Sequence, residues 1–299
     1  MKKRKIKRNP KPLPEREPKL ITVAGRRGVG KTYETLRMMQ TYVRNNHRTG
    51  RKGRKVLIFD VNNEFGNVKA DHNPKFYHVK DLPLSQIKAY GKSTKPDLRR
   101  ITPFKENGDR MSLDEMASTL GVILENYKNG LLLIEDITKY VTDSLPGDLI
   151  GSICTLRHVS TDVIIHFQMV QKLCHPKLWS NANEIRLHRA EDTIAAYQNR
   201  VKGNIEHMRI MEYMIRMKNN QGDKRFCCYL DKDYGKVRGN FTVQDFTEAI
   251  ASYLTANPKI VNSELKAQDL LSGKKKYESR QQAVKGIIRE MFHQYYGNR

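Results

Sequence analysis

The sequence predicts an α/β fold, a mostly parallel sheet flanked by helices with a smaller helical and hairpin part toward the C-terminal end, and three observations predict it. Short apolar, β-branched runs recur at residues 20–24, 56–59, 131–134 and 163–167. Stretches with apolar residues at helical spacing separate several of them, which is the pattern of strands joined by crossover helices. A glycine-rich octet, Gly25-Arg26-Arg27-Gly28-Val29-Gly30-Lys31-Thr32, links the first run to a helix marked by Leu36, Met39 and Val43.

The octet satisfies G-x-x-x-x-G-K-[ST] at every fixed position, in the strand-to-helix context that a phosphate-binding loop requires. Glycines let backbone N–H groups wrap a phosphate, and the positive end of the next helix points at the same anion. Lys31 is expected to reach the β- and γ-phosphates and Thr32 to offer its hydroxyl to Mg²⁺. ATP and Mg²⁺ are therefore the expected cofactors, with Gly25, Arg26, Arg27, Gly28, Val29, Gly30, Lys31, Thr32 and Tyr33 as the nucleotide-binding set.

The chain of 299 residues carries a formal net charge of +23, which points to a polyanionic partner, nucleic acid before an anionic membrane surface. No run of 18 apolar residues exists, so no membrane span is expected. The charged N-terminus has no apolar core and is not a secretory signal. Cys154, Cys174, Cys227 and Cys228 lack C-x-x-C spacing and read as packing residues in a reducing compartment.

Residues 1–18 form the expected first segment, a basic flexible arm, since the first 19 residues hold nine Lys or Arg, two Glu and four Pro. Residues 19–240 are expected to be the nucleotide-binding domain and residues 241–299 a helical C-terminal extension. Residues 44–55 carry six cations and no acid and read as an exposed, DNA-contacting loop. The run Val56-Leu57-Ile58-Phe59 ends in Asp60, so Asp60 and Glu64 are expected to emerge beside the nucleotide, unless they cap the loop. A weak strand is expected at 76–79 and another at 99–104. Ser112-Leu113-Asp114-Glu115 is a capping box that opens a helix through Met116, Leu120, Ile123, Leu124 and Tyr127.

Leu131-Leu132-Leu133-Ile134 then runs into Glu135 and Asp136. An apolar strand ending in two carboxylates puts one acid where Mg²⁺ is held and a second where water is polarised. Position alone assigns Glu135 to the metal and Asp136 to the water. A helix through Leu149, Ile153 and Leu156 leads to Arg157-His158, and a further strand ends in Gln168. A polar side chain there is placed to bond a γ-phosphate or the attacking water. Residues 184–189 supply one more strand. An amphipathic helix at 205–215, a hairpin at 226–238 and helices at 243–254 and 284–295 follow.

The order of these motifs resembles the FtsK-HerA superfamily of DNA-pumping ATPases, and the Arg157-His158 run before the Gln168 strand is similar to its Zot-like and phage-packaging branches. The likeness covers roughly residues 19–190. It implies a RecA/HerA-like P-loop NTPase fold, with Gln168 as sensor and Arg157 as a finger acting across a subunit boundary, Arg189 being the reserve for that role. The Glu135-Asp136 order is the reverse of the usual one, and the absent membrane segment favours a soluble motor over membrane-anchored extrusion proteins. The expected catalytic set is Lys31, Glu135, Asp136, Arg157 and Gln168, and the metal set Thr32 and Glu135.

The function that follows is ATP hydrolysis coupled to sequence-tolerant DNA translocation by a homo-oligomeric ring of five or six copies. Packaging of a viral or mobile-element genome, a capsid or portal-type docking protein, and a cytoplasmic or virion-associated location complete the expectation. The alternative is a nucleotide-dependent loader or regulator that binds nucleic acid or a replication protein without pumping. A small-molecule kinase accommodates the phosphate loop but neither the charge nor Gln168.

Overall fold

The computed structural model describes residues 17–46, 50–66, 78–137, 147–201, 203–268, 273 and 275–298. The expected arm lies outside them, apart from its last two residues, as do residues 76 and 77 of the expected weak strand and the side chain of Arg157.

Nine strands form one sheet in the order β3-β4-β2-β5-β6-β1-β7-β8-β9. The seven strands from β3 to β7 run parallel, namely β1 (Leu20–Ala24), β2 (Lys55–Phe59), β3 (Lys80–Asp81), β4 (Leu98–Ile101), β5 (Gly130–Ile134), β6 (Asp162–Phe167) and β7 (Glu184–Leu187). The hairpin β8 (Cys228–Asp231) and β9 (Lys236–Gly239) adds antiparallel to β7. Buried parallel strands have both faces covered, which is why β1, β2 and β5 are buried at every residue.

Alternation along each strand separates two core layers. Leu57, Phe59, Leu132, Ile134, Val163 and Ile165 face the larger layer. Ile21, Val23, Val56, Ile58, Leu131 and Leu133 face the other, where α1 (Lys31–Val43) lays Leu36, Met39, Tyr42 and Val43 on them. Each such aliphatic side chain contributes about 1.5–3 kcal/mol on burial.

Ser112 caps α3 (Leu113–Asn126) with both capping-box bonds present. Connecting helices α2 (Ile87–Lys92), α4 (Gly147–Thr155), α5 (Val170–Leu173) and α6 (Pro176–Asn181) complete the crossovers. Beyond β7, α7 (Ile205–Asn220) buries Met208, Met211 and Met214, and α8 (Val243–Ala256), α9 (Pro258–Lys266) and α10 (Arg280–Tyr295) pack in the same core layer through Phe246, Val261 and Ile287.

The reading of residues 44–55 as an exposed basic loop is corrected at Lys55 and Arg54, while Arg51 and Lys52 are exposed as expected. Lys55 is 1% exposed and donates to the carbonyl oxygens of Tyr90, Gly91 and Ser93 at 3.0, 2.6 and 2.7 Å, neutralising the carbonyl end of α2. Burial lowers its pKa to about 8. Arg54 pairs with Asp162 at 3.7 Å and Arg51 lies over the Tyr42 ring. Because β2 starts at Lys55, this segment sits at the sheet edge opposite the phosphate loop. The expected strand at 99–104 is β4, which ends at Ile101.

Candidate functional site

Strand register brings the chemistry to one edge. Ala24 lies level with Phe167 of β6 and Leu187 of β7, while Phe59 of β2, Ile134 of β5 and Ile165 of β6 align in turn. The residues that follow, Gly25, Asp60, Glu135 and Gln168, therefore leave the sheet together. A cleft of about 380 Å³ opens there, and its lining includes Gly28, Lys31, Thr32, Glu64, Glu135, Asp136 and Gln168.

The loop's shape depends on glycine at two places. A Cβ on Gly25 would sit 2.6 Å from the Cβ of His188, so the loop could not cross β7 so closely with any side chain. Gly30, with φ of 88°, turns the chain into α1, whose first-turn N–H groups face the loop. The Lys31 ammonium is folded back, donating to the carbonyl oxygens of Gly25 and, at 2.8 Å, of Arg26. Burial lowers its pKa, while Asp136, Glu64 and Glu135 act in the opposite sense. Thr32 donates its hydroxyl to Glu64 at 2.8 Å.

Asp60 and Glu64 have parted roles. Asp60 accepts from the N–H groups of Glu64 and Phe65 at 2.9 and 3.0 Å and pairs with Arg100 at 2.8 Å, so it caps the loop. Glu64 is the residue that reaches the phosphate loop.

Glu135 is 3% exposed and accepts a long 3.4 Å bond from the N–H of Asn62. Burial, reinforced by the charges of Asp60 and Glu64 and by a side-chain hydrogen bond with Asp60, pushes its pKa up to about 9, which favours the protonated carboxyl. Asp136 has φ of 42°, a left-handed backbone that aims its carboxylate sideways to accept from Gln168 Nε2 at 2.6 Å. The two acids at the end of β5 thus face different neighbours.

Beneath the loop lies a network without a sequence signature. Arg186, 1% exposed, donates to Thr35 Oγ1 and, at 3.4 Å, to the carbonyl of Lys31. The Thr35 hydroxyl in turn hydrogen-bonds His166 Nε2 at 2.8 Å. Burial and the Arg186 charge hold His166 well below its ordinary pKa, and the same causes bring His188 down to about 3. His188 Nδ1 donates to the carbonyl of Val29 at 3.2 Å and supports the loop from behind. A buried guanidinium next to the start of α1 adds fixed positive potential under the loop.

Thr32, Glu64 and Glu135 offer only hard oxygen donors, and the crowding of carboxylates around Glu135 favours a cation beside it, so this set fits Mg²⁺. Among the described residues no group of three or more His, Cys, Asp or Glu is arranged to hold a metal unaided. A nucleotide-bound Mg²⁺ needs one or two protein oxygens, with phosphates and water completing its shell.

Lys31, Thr32, Glu135, Asp136 and Gln168 line the one cleft, together with Arg27, Gly28, Gly30 and Tyr33. Gly25 and Arg26 meet it through the carbonyls that hold Lys31, and Val29 is buried under the loop. The Arg157 side chain lies outside the described residues. Arg189 lines a second cleft of about 330 Å³ with Glu212, and donates to Asn219 Oδ1 at 3.2 Å. Glu64 lines the cleft as the segment after β2 was expected to, whereas His166, Phe167 and Arg225, which arrives from the loop before β8, were not expected.

Among curated proteins none matches the chain. Solved structures with a similar fold include the genome-packaging NTPase B204 of Sulfolobus turreted icosahedral virus 2. Its complex with ATP-gammaS shares 14% identity over 75% of this chain and 97% of that one, with a TM-score of 0.45. The complex with AMP gives 12% identity, 77% and 100% coverage and a TM-score of 0.44. The N-terminal domain of zonular occludens toxin from Neisseria meningitidis gives 12% identity, 59% and 79% coverage and a TM-score of 0.30. The family model for the central domain of the helicase HerA matches residues 20–296, from the strand that feeds the phosphate loop to the end of α10, and the chain belongs to that family.

Proposed function

We propose that this chain is an ATPase that moves DNA through a ring of its own copies, packaging a viral or mobile-element genome. The observation that carries the reading is the convergence of Lys31, Thr32, Glu64, Glu135, Asp136 and Gln168 on one cleft at the end of β1, β5 and β6. Membership of the HerA central-domain family and the net charge of +23 support the motor reading over a small-molecule kinase.

The chemistry proceeds from these positions. On nucleotide binding Lys31 exchanges the carbonyls of Gly25 and Arg26 for phosphate oxygens. Thr32 and a carboxylate of Glu135 or Glu64 would hold Mg²⁺, which would supply neutralisation of charge on the phosphates. Asp136, its carboxylate fixed by Gln168, accepts a proton from the water whose oxygen attacks the γ-phosphorus as the bond to the bridging oxygen breaks. Gln168 then reports the loss of phosphate along β6. Arg157 from an adjacent copy stabilises the charge that develops, so hydrolysis requires assembly. Contacts to DNA are made with phosphates, which makes movement independent of sequence and sensitive to salt.

The test is ATP-driven displacement of a protein roadblock from DNA. The wild-type protein clears it, Lys31→Ala does not, and Arg157→Ala binds nucleotide yet neither hydrolyses nor moves. Hydrolysis with an intact roadblock favours the loader or regulator instead.

A further inference from the structure

Two side chains at the mouth of the cleft have no part in the hydrolysis described above. Tyr33, the third residue of α1, keeps 62% of its surface exposed although it is a large aromatic next to a phosphate loop. Arg225 comes from the loop between α7 and β8 and holds its guanidinium carbon 5.4 Å from the centre of the Tyr33 ring. Both line the same cleft as Lys31 and Thr32. The stem of Arg225 crosses the phosphate loop itself, because a Cβ on Gly30 would meet Arg225 Cβ and Cγ at 3.3 Å. Arg225 is exposed and has no carboxylate within ion-pair distance among the described residues.

We propose that Tyr33 and Arg225 form a clamp for the base of the bound nucleotide, the ring and the planar cation parting from their mutual 5.4 Å contact to stack on its two faces. The inference rests on the nucleotide reading of the cleft and adds to it the part that recognises the nucleoside. Tyr33 lies two residues beyond Lys31 in α1 and lines the same cleft as the phosphate loop. A ring and a guanidinium stack on the face of any base, whereas reading a base edge requires donors and acceptors in its plane. The clamp therefore gives affinity without strong choice between purines. Arg225 also closes over Gly30 from a different part of the chain, so base binding couples the loop before β8 to the phosphate loop.

The experiment compares the full-length protein with Tyr33→Ala, Tyr33→Phe and Arg225→Ala in calorimetric titrations with AMP-PNP, its guanosine counterpart GMP-PNP, and inorganic tripolyphosphate, all with Mg²⁺. Tyr33→Ala is expected to weaken AMP-PNP about ten-fold or more and to leave tripolyphosphate unchanged. Tyr33→Phe keeps the wild-type affinity, Arg225→Ala weakens AMP-PNP more than tripolyphosphate, and the two nucleotides bind the wild-type protein within a few-fold. Unchanged AMP-PNP affinity in Tyr33→Ala, or an equal loss for tripolyphosphate, overturns the clamp and leaves the nucleotide site standing. Wild-type protein that is folded but binds neither ligand overturns the nucleotide reading, and the clamp with it.

Discussion

Asp60 and Glu135 occupy equivalent places at the ends of neighbouring parallel strands, and both are buried, yet their surroundings differ in every respect that matters. Asp60 is fully answered by Arg100 and two backbone N–H groups. Glu135 has a long bond from a backbone N–H, shares a side-chain hydrogen bond with Asp60 and is buried beside the charges of Asp60 and Glu64, which pushes its pKa up to about 9. A buried charge that is paired fixes a loop. A buried acid set among other carboxylates with no cation paired to it is held ready for a cation or a substrate, at a cost to stability.

Exchanging each acid for its amide separates the two roles. Glu135→Gln is expected to lower ATP turnover by about 10²-fold or more while leaving the melting temperature equal or higher, because the amide needs no proton to remain neutral. Asp60→Asn is expected to do the reverse. It leaves Arg100 with Asp81 as its remaining carboxylate partner and costs about 1–3 kcal/mol in urea unfolding, and whatever remains folded still hydrolyses ATP. If both variants lose activity with equal loss of stability, the contrast fails.

The next effect is on pH dependence without metal or nucleotide. An acid whose folded pKa is raised binds its proton more tightly in the folded state, so its contribution is most favourable below the unfolded value. For Glu135 it is lost as pH rises from about 4.5 toward about 9. Wild-type protein is therefore expected to lose stability relative to Glu135→Gln across that window, measured by unfolding in a chelator. The smallest effect sharpens the cause: Glu64→Gln removes one of the two neighbouring charges and is expected to move the upper end of the window to lower pH.

Much of this was legible before any coordinates. Apolar runs buried on both faces marked β1, β2, β5 and β6, and the octet between β1 and α1 located the cleft. Lys31, Thr32, Glu135, Asp136 and Gln168 follow strand ends, where topology leaves little freedom, and they line one cleft. Loops gave less. Asp60 and Glu64 lie in one turn, and only the position of Arg100, forty residues away, decides which of them is consumed by pairing. Lys55 looked like one more exposed cation, but three carbonyls at the end of α2 and the rings of Tyr90 and Tyr127 enclose it. Short helices such as α5 and α6 carry too few turns for a periodic signal. Arg186, His166 and Arg225 reach the site through strand pairing and chain reversal, which no local pattern encodes.

The central claim is that this cleft hydrolyses ATP in the service of DNA movement. Phosphate release by the wild-type protein, measured with two DNA duplexes of unrelated sequence at low and high salt, tests it most directly. The account predicts stimulation by both duplexes to the same extent, falling steeply as salt rises. Binding of ATP with no DNA-stimulated release by either duplex would contradict it.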